Sequence, residues 1–221
     1  MKNILCFGDS NTYGLKPEGT GRFDITVRYP GKLQTLLGGE YHIIEEGCPG
    51  RTTLFEDKNR PYKKGLDYIT PCLQSHIPID YVVVMLGTND CKSAFRATSK
   101  EIASGITDII ERIKTVAGTS TGILVVSPIH LGDNIWKPEY DTEFDKESII
   151  ISKALAYEYI KLAKVDDCDF LDASSVATAS PIDEEHLDEI GHNKIARAVA
   201  EMLERDCFLE NQYGESIAAM I

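Results

Sequence analysis

Cations are scarce in this chain: 23 Lys and Arg stand against 35 Asp and Glu, a formal charge of −12 at neutral pH. A field of that sign repels polyanions, which excludes nucleic acid as the expected partner and disfavours a strongly anionic lipid surface as substrate. Long apolar runs are missing too. Nothing approaches the roughly 20 apolar residues of a membrane span, and the apolar stretch within Met1–Phe7 is too short for a secretory signal. The expectation is a cytoplasmic protein without membrane contact. The six cysteines, Cys6, Cys48, Cys72, Cys91, Cys168 and Cys207, form no C-x-x-C pair. That spacing argues against a zinc ribbon or a thioredoxin-type redox centre and leaves free thiols. No G-x-x-x-x-G-K follows a strand-like segment, so a phosphate-binding nucleotide module is excluded. His42, His76 and His130 share no metal-ligand spacing, and neither a metal nor an organic cofactor is expected. Low-complexity tracts, sustained heptads, internal repeats and linkers are also absent, which argues against disorder, coiled coil and a second domain.

What is present suits a single α/β domain over residues 1–221, long enough to bury a full core without disulfide or metal staples. Short apolar runs alternate with longer amphipathic segments, as when parallel strands are joined by crossover helices. Strands are expected near Asn3–Phe7, Tyr41–Glu45, Tyr81–Leu86, Gly122–Ser127 and Cys168–Leu171. Helical spacing marks Tyr29–Leu37, Lys100–Val116, Glu143–Ala163 and Asp188–Arg205. Pro17–Gly21, Asn59–Gly65 and Pro128–Pro138 read as surface loops, and the polar tail beyond about residue 208 as either loosely held or packed on a neighbouring subunit.

Ligands of parallel sheets bind in the crevice outside the carboxyl ends of the strands. Two segments fall there: Gly8-Asp9-Ser10 after the first strand, and Gly87-Thr88-Asn89-Asp90 after the third. A serine hydroxyl becomes a useful nucleophile only when a base removes its proton and a third group orients that base. Ser10 is the candidate nucleophile, with Gly8 permitting a tight turn; a serine after a strand is more often a helix cap. Near the other end, Asp183-Glu184-Glu185-His186 places a carboxylate three residues before a histidine, close enough to fold back onto the imidazole. The plainer reading there is an acidic first helical turn. Acyl transfer also needs donors for the oxyanion, and the Ser10 amide, the Gly50 amide and the Asn89 side chain stand at strand ends. Gly50 as a turn former and Asn89 as an Asx-turn residue are the competing readings.

Taken together and in order, these blocks resemble the SGNH (GDSL-type) hydrolase family. Ser10 matches the serine block, Gly50 the glycine block, Gly87-Thr88-Asn89-Asp90 the asparagine block, and Asp183 with His186 the block of acid and base. The longer strings Ile4–Ser10, Glu45-Glu46-Gly47, Arg51-Thr52-Thr53 and Met85–Asp90 are most similar to the arylesterase and acyltransferase branch. The resemblance implies a flavodoxin-like three-layer α/β/α sandwich around a five-stranded parallel sheet. It also implies a catalytic Ser10, Asp183 and His186, an oxyanion hole from Ser10, Gly50 and Asn89, and small acyl esters as substrates. The acyl group is passed to water or to another alcohol. Some relatives form large homo-oligomers, so self-association belongs to the same expectation.

Related readings are a carbohydrate O-acetyl esterase, a thioesterase or lysophospholipase, and, from another class, a binding module that keeps the fold without turnover. Asn11, where the family often has leucine, is expected to place a polar group beside Ser10 and alter the acyl pocket. The segment 129–145, with Trp136 and Tyr140, is the expected substrate-shaping loop. Asp9 and Asp90 are read as structural, Arg51 as paired with an acidic residue such as Glu45 or Glu46, and His186 is preferred over His192 as the base.

Overall fold

The structure, a computed structural model, describes residues 1–218, with side chains described through residue 205. Its centre is a five-stranded, wholly parallel sheet in the order β2-β1-β3-β4-β5. The strands are β1 (Lys2–Gly8), β2 (Tyr41–Gly47), β3 (Tyr81–Met85), β4 (Gly122–Ser127) and β5 (Asp169–Asp172). The helices are the four-residue α1 (Ser10–Tyr13), then α2 (Tyr29–Leu37), α3 (Gly65–His76), α4 (Ser99–Ala117), α5 (Lys146–Asp166) and α6 (Glu189–Ala218). The tail beyond 208, whose packing the sequence left open, lies among the residues whose side chains are not described.

Strand alternation explains the three layers. In β1, Leu5 and Phe7 join Val82 and Val84 in a core closed by Ile69, Ile102, Ile106, Ile109 and Leu155 of α3, α4 and α5. Ile4 and Cys6 face the other way, with Val83, Leu124, Leu33, Ile195 and Val199 beneath α2 and α6. Successive side chains of a strand point to opposite faces, and strands buried on both faces read as continuous apolar runs, as Val82, Val83 and Val84 do. On α4 the stripe Ile102, Ile106, Ile109, Ile110 and Ile113 is wholly buried. Each such side chain contributes about 1.5–3 kcal/mol relative to exposure. The helix starts at a reciprocal capping box between Thr98 and Glu101.

Helix α6 runs on to Ala218, past the expected end at Arg205, and two further helices depart from the expectation. The spacing predicts a helix over 143–163, but α5 begins only at Lys146. Asp145 caps it by accepting the Ser148 N–H, and Glu143 is held outside by ion pairs to Lys92 and Arg60. Helix α3 has no counterpart among the expected elements. Pro71 lies inside it and its sequence follows a polar loop that carries Pro61, yet Ile69, Cys72 and Leu73 bury one face against the sheet. That packing outweighs the missing N–H of Pro71.

The strand order places a topological switch between β1 and β3, because the chain leaves β1 toward β2 on one side and returns to β3 on the other. Ser10 follows β1 and Asn89 follows β3. No helix among the described residues is long and apolar enough to cross a membrane.

Candidate active site

At the end of β1, Gly8 is required by close approach rather than by turn freedom. A Cβ there would lie 1.9 Å from Thr12 Oγ1 and 2.7 Å from the Met85 carbonyl oxygen. The helix cap is Asp9, whose Oδ1 accepts the Asn11 N–H at 3.0 Å, which leaves the Ser10 hydroxyl free of that duty. Ser10 is therefore the first residue of α1 and almost completely buried. Burial pushes the Asp9 carboxyl up to about 6, against the lowering effect of the Asn11 N–H.

The loop before α6 brings the other end of the chain to Ser10. It is closed on itself by Ser180 N–H to the His186 carbonyl, 2.7 Å, and by Glu184 N–H to the Ser180 carbonyl, 2.8 Å. Asp183 Oδ1 accepts the N–H groups of Glu185 and His186 at 3.1 and 3.0 Å, and Oδ2 lies 2.6 Å from His186 Nδ1. A carboxylate only accepts, so Nδ1 carries the proton and Nε2 of the neutral ring presents its lone pair. Nε2 is 2.9 Å from Ser10 Oγ, a contact across 176 residues. Burial lowers the His186 pKa, but the charges of Glu185 and Asp183 and the Asp183 hydrogen bond outweigh it, so the net displacement is upward.

Gly50 adopts φ +81°, a left-handed conformation that favours glycine. The backbone N–H groups of Ser10 and Gly50 have no hydrogen-bond acceptor among the described residues. Asn89 opens a 3₁₀ turn after β3, and its Nδ2 donates to the Arg51 carbonyl at 3.2 Å, which fixes the amide beside the Gly50–Arg51 turn. Asp90 is a brace: its carboxylate accepts the Thr53 N–H at 2.8 Å and the Thr53 hydroxyl at 2.6 Å.

One expectation is corrected. Among the described residues Arg51 pairs with no carboxylate. Its guanidinium donates to the carbonyls of Gly8, at 2.9 Å, and Glu46, and stacks over Phe7 and Tyr68, while Glu45 is held by Arg22 and Arg28. Asn11, the polar residue beside Ser10, accepts the Leu187 N–H on Oδ1 at 2.8 Å. His192 is buried and makes no bond to Ser10 among the described residues: Nδ1 accepts the Tyr29 N–H at 3.3 Å, Phe23 packs edge-on, and burial lowers its pKa to about 4.

Three features escaped sequence reasoning. Glu184 takes a left-handed φ of 61° and pins the 129–145 loop, its carbonyl accepting Gly132 N–H and its carboxylate Asn134 N–H. The only hint was its place inside the acidic block. Buried Lys92, with Asp57, Glu143 and Arg60, ties that same loop to the 48–64 segment beside Gly50. Glu46, Cys72 and His76 bring three ligating atoms within 4.8 Å of one another and could hold a cation. As they stand, His76 Nε2 is bonded to Glu46 at 3.0 Å and burial pushes the Cys72 thiol up to about 12. The i, i+4 spacing of Cys72 and His76 was legible, but Glu46 arrives from β2. A cavity of about 770 Å³ is lined by Lys2, Tyr41, Asp80, Gly122 and Asp169 at the amino ends of the strands, opposite the crevice that holds Ser10.

The GDSL-like lipase/acylhydrolase family pattern matches residues 6–194. The native aryl esterase of M. smegmatis is 34% identical, with a TM-score of 0.85 over 93% of this chain and 99% of that one. A carbohydrate acetylesterase family member from Sinorhizobium meliloti is 33% identical, with a TM-score of 0.87 over 93% of this chain and 98% of that one. Among curated protein sequences none matches significantly. The match over residues 6–194 spans every segment that meets at Ser10, and the chain belongs to the GDSL-like lipase/acylhydrolase family.

Proposed function

We propose that the protein is a serine esterase for small acyl esters, acetyl and aryl esters among them. The observation that carries this reading is the unbroken line from Asp183 Oδ2 through the His186 ring to Ser10 Oγ, with contacts of 2.6 and 2.9 Å. His186 Nε2 takes the Ser10 proton as Oγ attacks the ester carbonyl, and Asp183 stabilises the imidazolium. The amides of Ser10 and Gly50 and the Asn89 side chain receive the oxyanion. Collapse breaks the bond to the alcohol oxygen, which takes the proton from His186. Water, or a second alcohol in acyl transfer, then attacks the acyl-enzyme with His186 again as base. These steps use only side chains and amides of this chain.

A carbohydrate O-acetyl esterase is the second reading, favoured by the 33% identity to the Sinorhizobium meliloti carbohydrate acetylesterase family member. A panel of p-nitrophenyl acyl esters set against acetylated sugars tests both. Turnover of short p-nitrophenyl esters supports the first, a strong preference for acetylated sugars the second, and turnover of neither contradicts the esterase reading.

A further inference from the structure

The acidic block before α6 contains a carboxylate that the mechanism does not use. Glu185 has 8% of its surface exposed, and the one partner given to its side chain among the described residues is the His186 ring. Its Oε1 lies 3.8 Å from His186 Nε2, the ring nitrogen that faces Ser10, and not beside Nδ1, which faces Asp183. A carboxylate buried without a donor costs free energy that an apolar side chain of the same size would avoid. The nearest charges besides His186 belong to Asp141, Asp183 and Asp9, all of its own sign, and burial raises its pKa. Of these groups only the His186 ring offsets its charge, at 3.8 Å and without a hydrogen bond.

The reaction itself supplies a partner. Nε2 must come within about 2.6–3.2 Å of the alcohol oxygen to protonate it as it leaves. A carboxyl oxygen 3.8 Å from Nε2 then flanks the first carbons of the alcohol portion. An incoming acceptor alcohol occupies the same place, because acyl transfer runs the step backwards.

We propose that Glu185 is a specificity-determining residue that accepts a hydrogen bond from a hydroxyl adjacent to the ester oxygen, so that esters of polyols are favoured over esters of simple alkanols. This rests on the esterase reading above and deepens it. A carboxyl accepts a hydroxyl donor whether ionised or neutral, so the preference does not require one protonation state.

The test compares kcat/KM for 2-hydroxyethyl acetate and n-propyl acetate, which differ by a hydroxyl in place of a methyl. Each value is divided by that ester's rate with hydroxide, at a pH on the plateau of every enzyme compared. The wild type favours the hydroxyethyl ester by about ten-fold or more. Glu185→Gln keeps an oxygen acceptor and retains most of that preference; Glu185→Leu loses it. A ratio near one in the wild type, or the same preference in Glu185→Leu, overturns the proposal. Equal loss in both variants overturns it as well, since charge would then be what the substrate reads. Fluorophosphonate labelling of Ser10 on the same preparations reports a folded site, and Glu185→Met replaces the leucine variant if that one fails to label. p-Nitrophenyl acetate separates the two levels of failure. Turnover of that ester without hydroxyl preference sinks only the role of Glu185, and no turnover of any ester sinks the esterase reading with it.

Discussion

Asn11 Oδ1 accepts the backbone N–H of Leu187 at 2.8 Å, so the residue after Ser10 is fastened to the residue after His186. Both groups are buried, and the bond joins segments 176 residues apart at the point where the hydroxyl and imidazole must meet. Removing the acceptor orphans a buried N–H, which costs about 1–3 kcal/mol. Asn11→Ala is expected to lower stability by that amount in urea titration. It is also expected to lower kcat about ten-fold or more, with a smaller change in KM, because small misplacements of reacting groups are costly.

Asn89 offers a cleaner separation of chemistry from folding. Among the described residues its side chain makes one long hydrogen bond, to the Arg51 carbonyl, so Asn89→Ala loses no more than about 1 kcal/mol of stability. As an oxyanion donor it accounts for about 10²–10³ in kcat. Steady-state kinetics beside thermal melts check the pair of outcomes, and unchanged kcat removes Asn89 from the site.

The acid limb of the pH profile follows from the sign of the His186 displacement. The base works only when neutral, so activity falls as pH drops through its pKa. Burial pulls that pKa down, yet Glu185 and Asp183 raise it overall, which puts the limb of kcat/KM above the ordinary histidine value of about 6.5. Glu185→Gln removes one raising charge and shifts the limb to lower pH, by roughly one unit. A limb that stays in place after this substitution contradicts the coupling.

His192 is the control for His186. Its Nδ1 accepts the Tyr29 N–H and its ring packs against Phe23, so His192→Ala opens a cavity and costs about 2–4 kcal/mol. The folded fraction retains the wild-type pH profile. His186→Ala does the reverse, keeping the fold and losing turnover; retained activity in that variant reassigns the base.

Much of this arrangement could be read from the chain before folding, for a physical reason. The β-strands and the isoleucine stripe of α4 carry the periodicities of 2 and 3.6 that buried faces impose, and Asp183 reaches His186 through a local turn. What stayed hidden lacks any local period. Helix α3 carries Pro71, which masks its apolar face. The start of α5 is decided by Asp145 capping against the pull of Lys92 and Arg60 on Glu143. The partners of Asn11, Glu46 and Glu184 come from other elements, and Glu185 is marked out only by burial beside Nε2.

The central claim is that Ser10 Oγ becomes acylated, and intact-mass measurement after reaction with a fluorophosphonate tests it most directly. The wild type is expected to gain a single adduct, mapped to Ser10 by peptide analysis, and to lose ester turnover in proportion. Ser10→Ala is expected to gain none and to turn over no ester. Labelling elsewhere with turnover intact, or undiminished turnover by Ser10→Ala, would contradict the account.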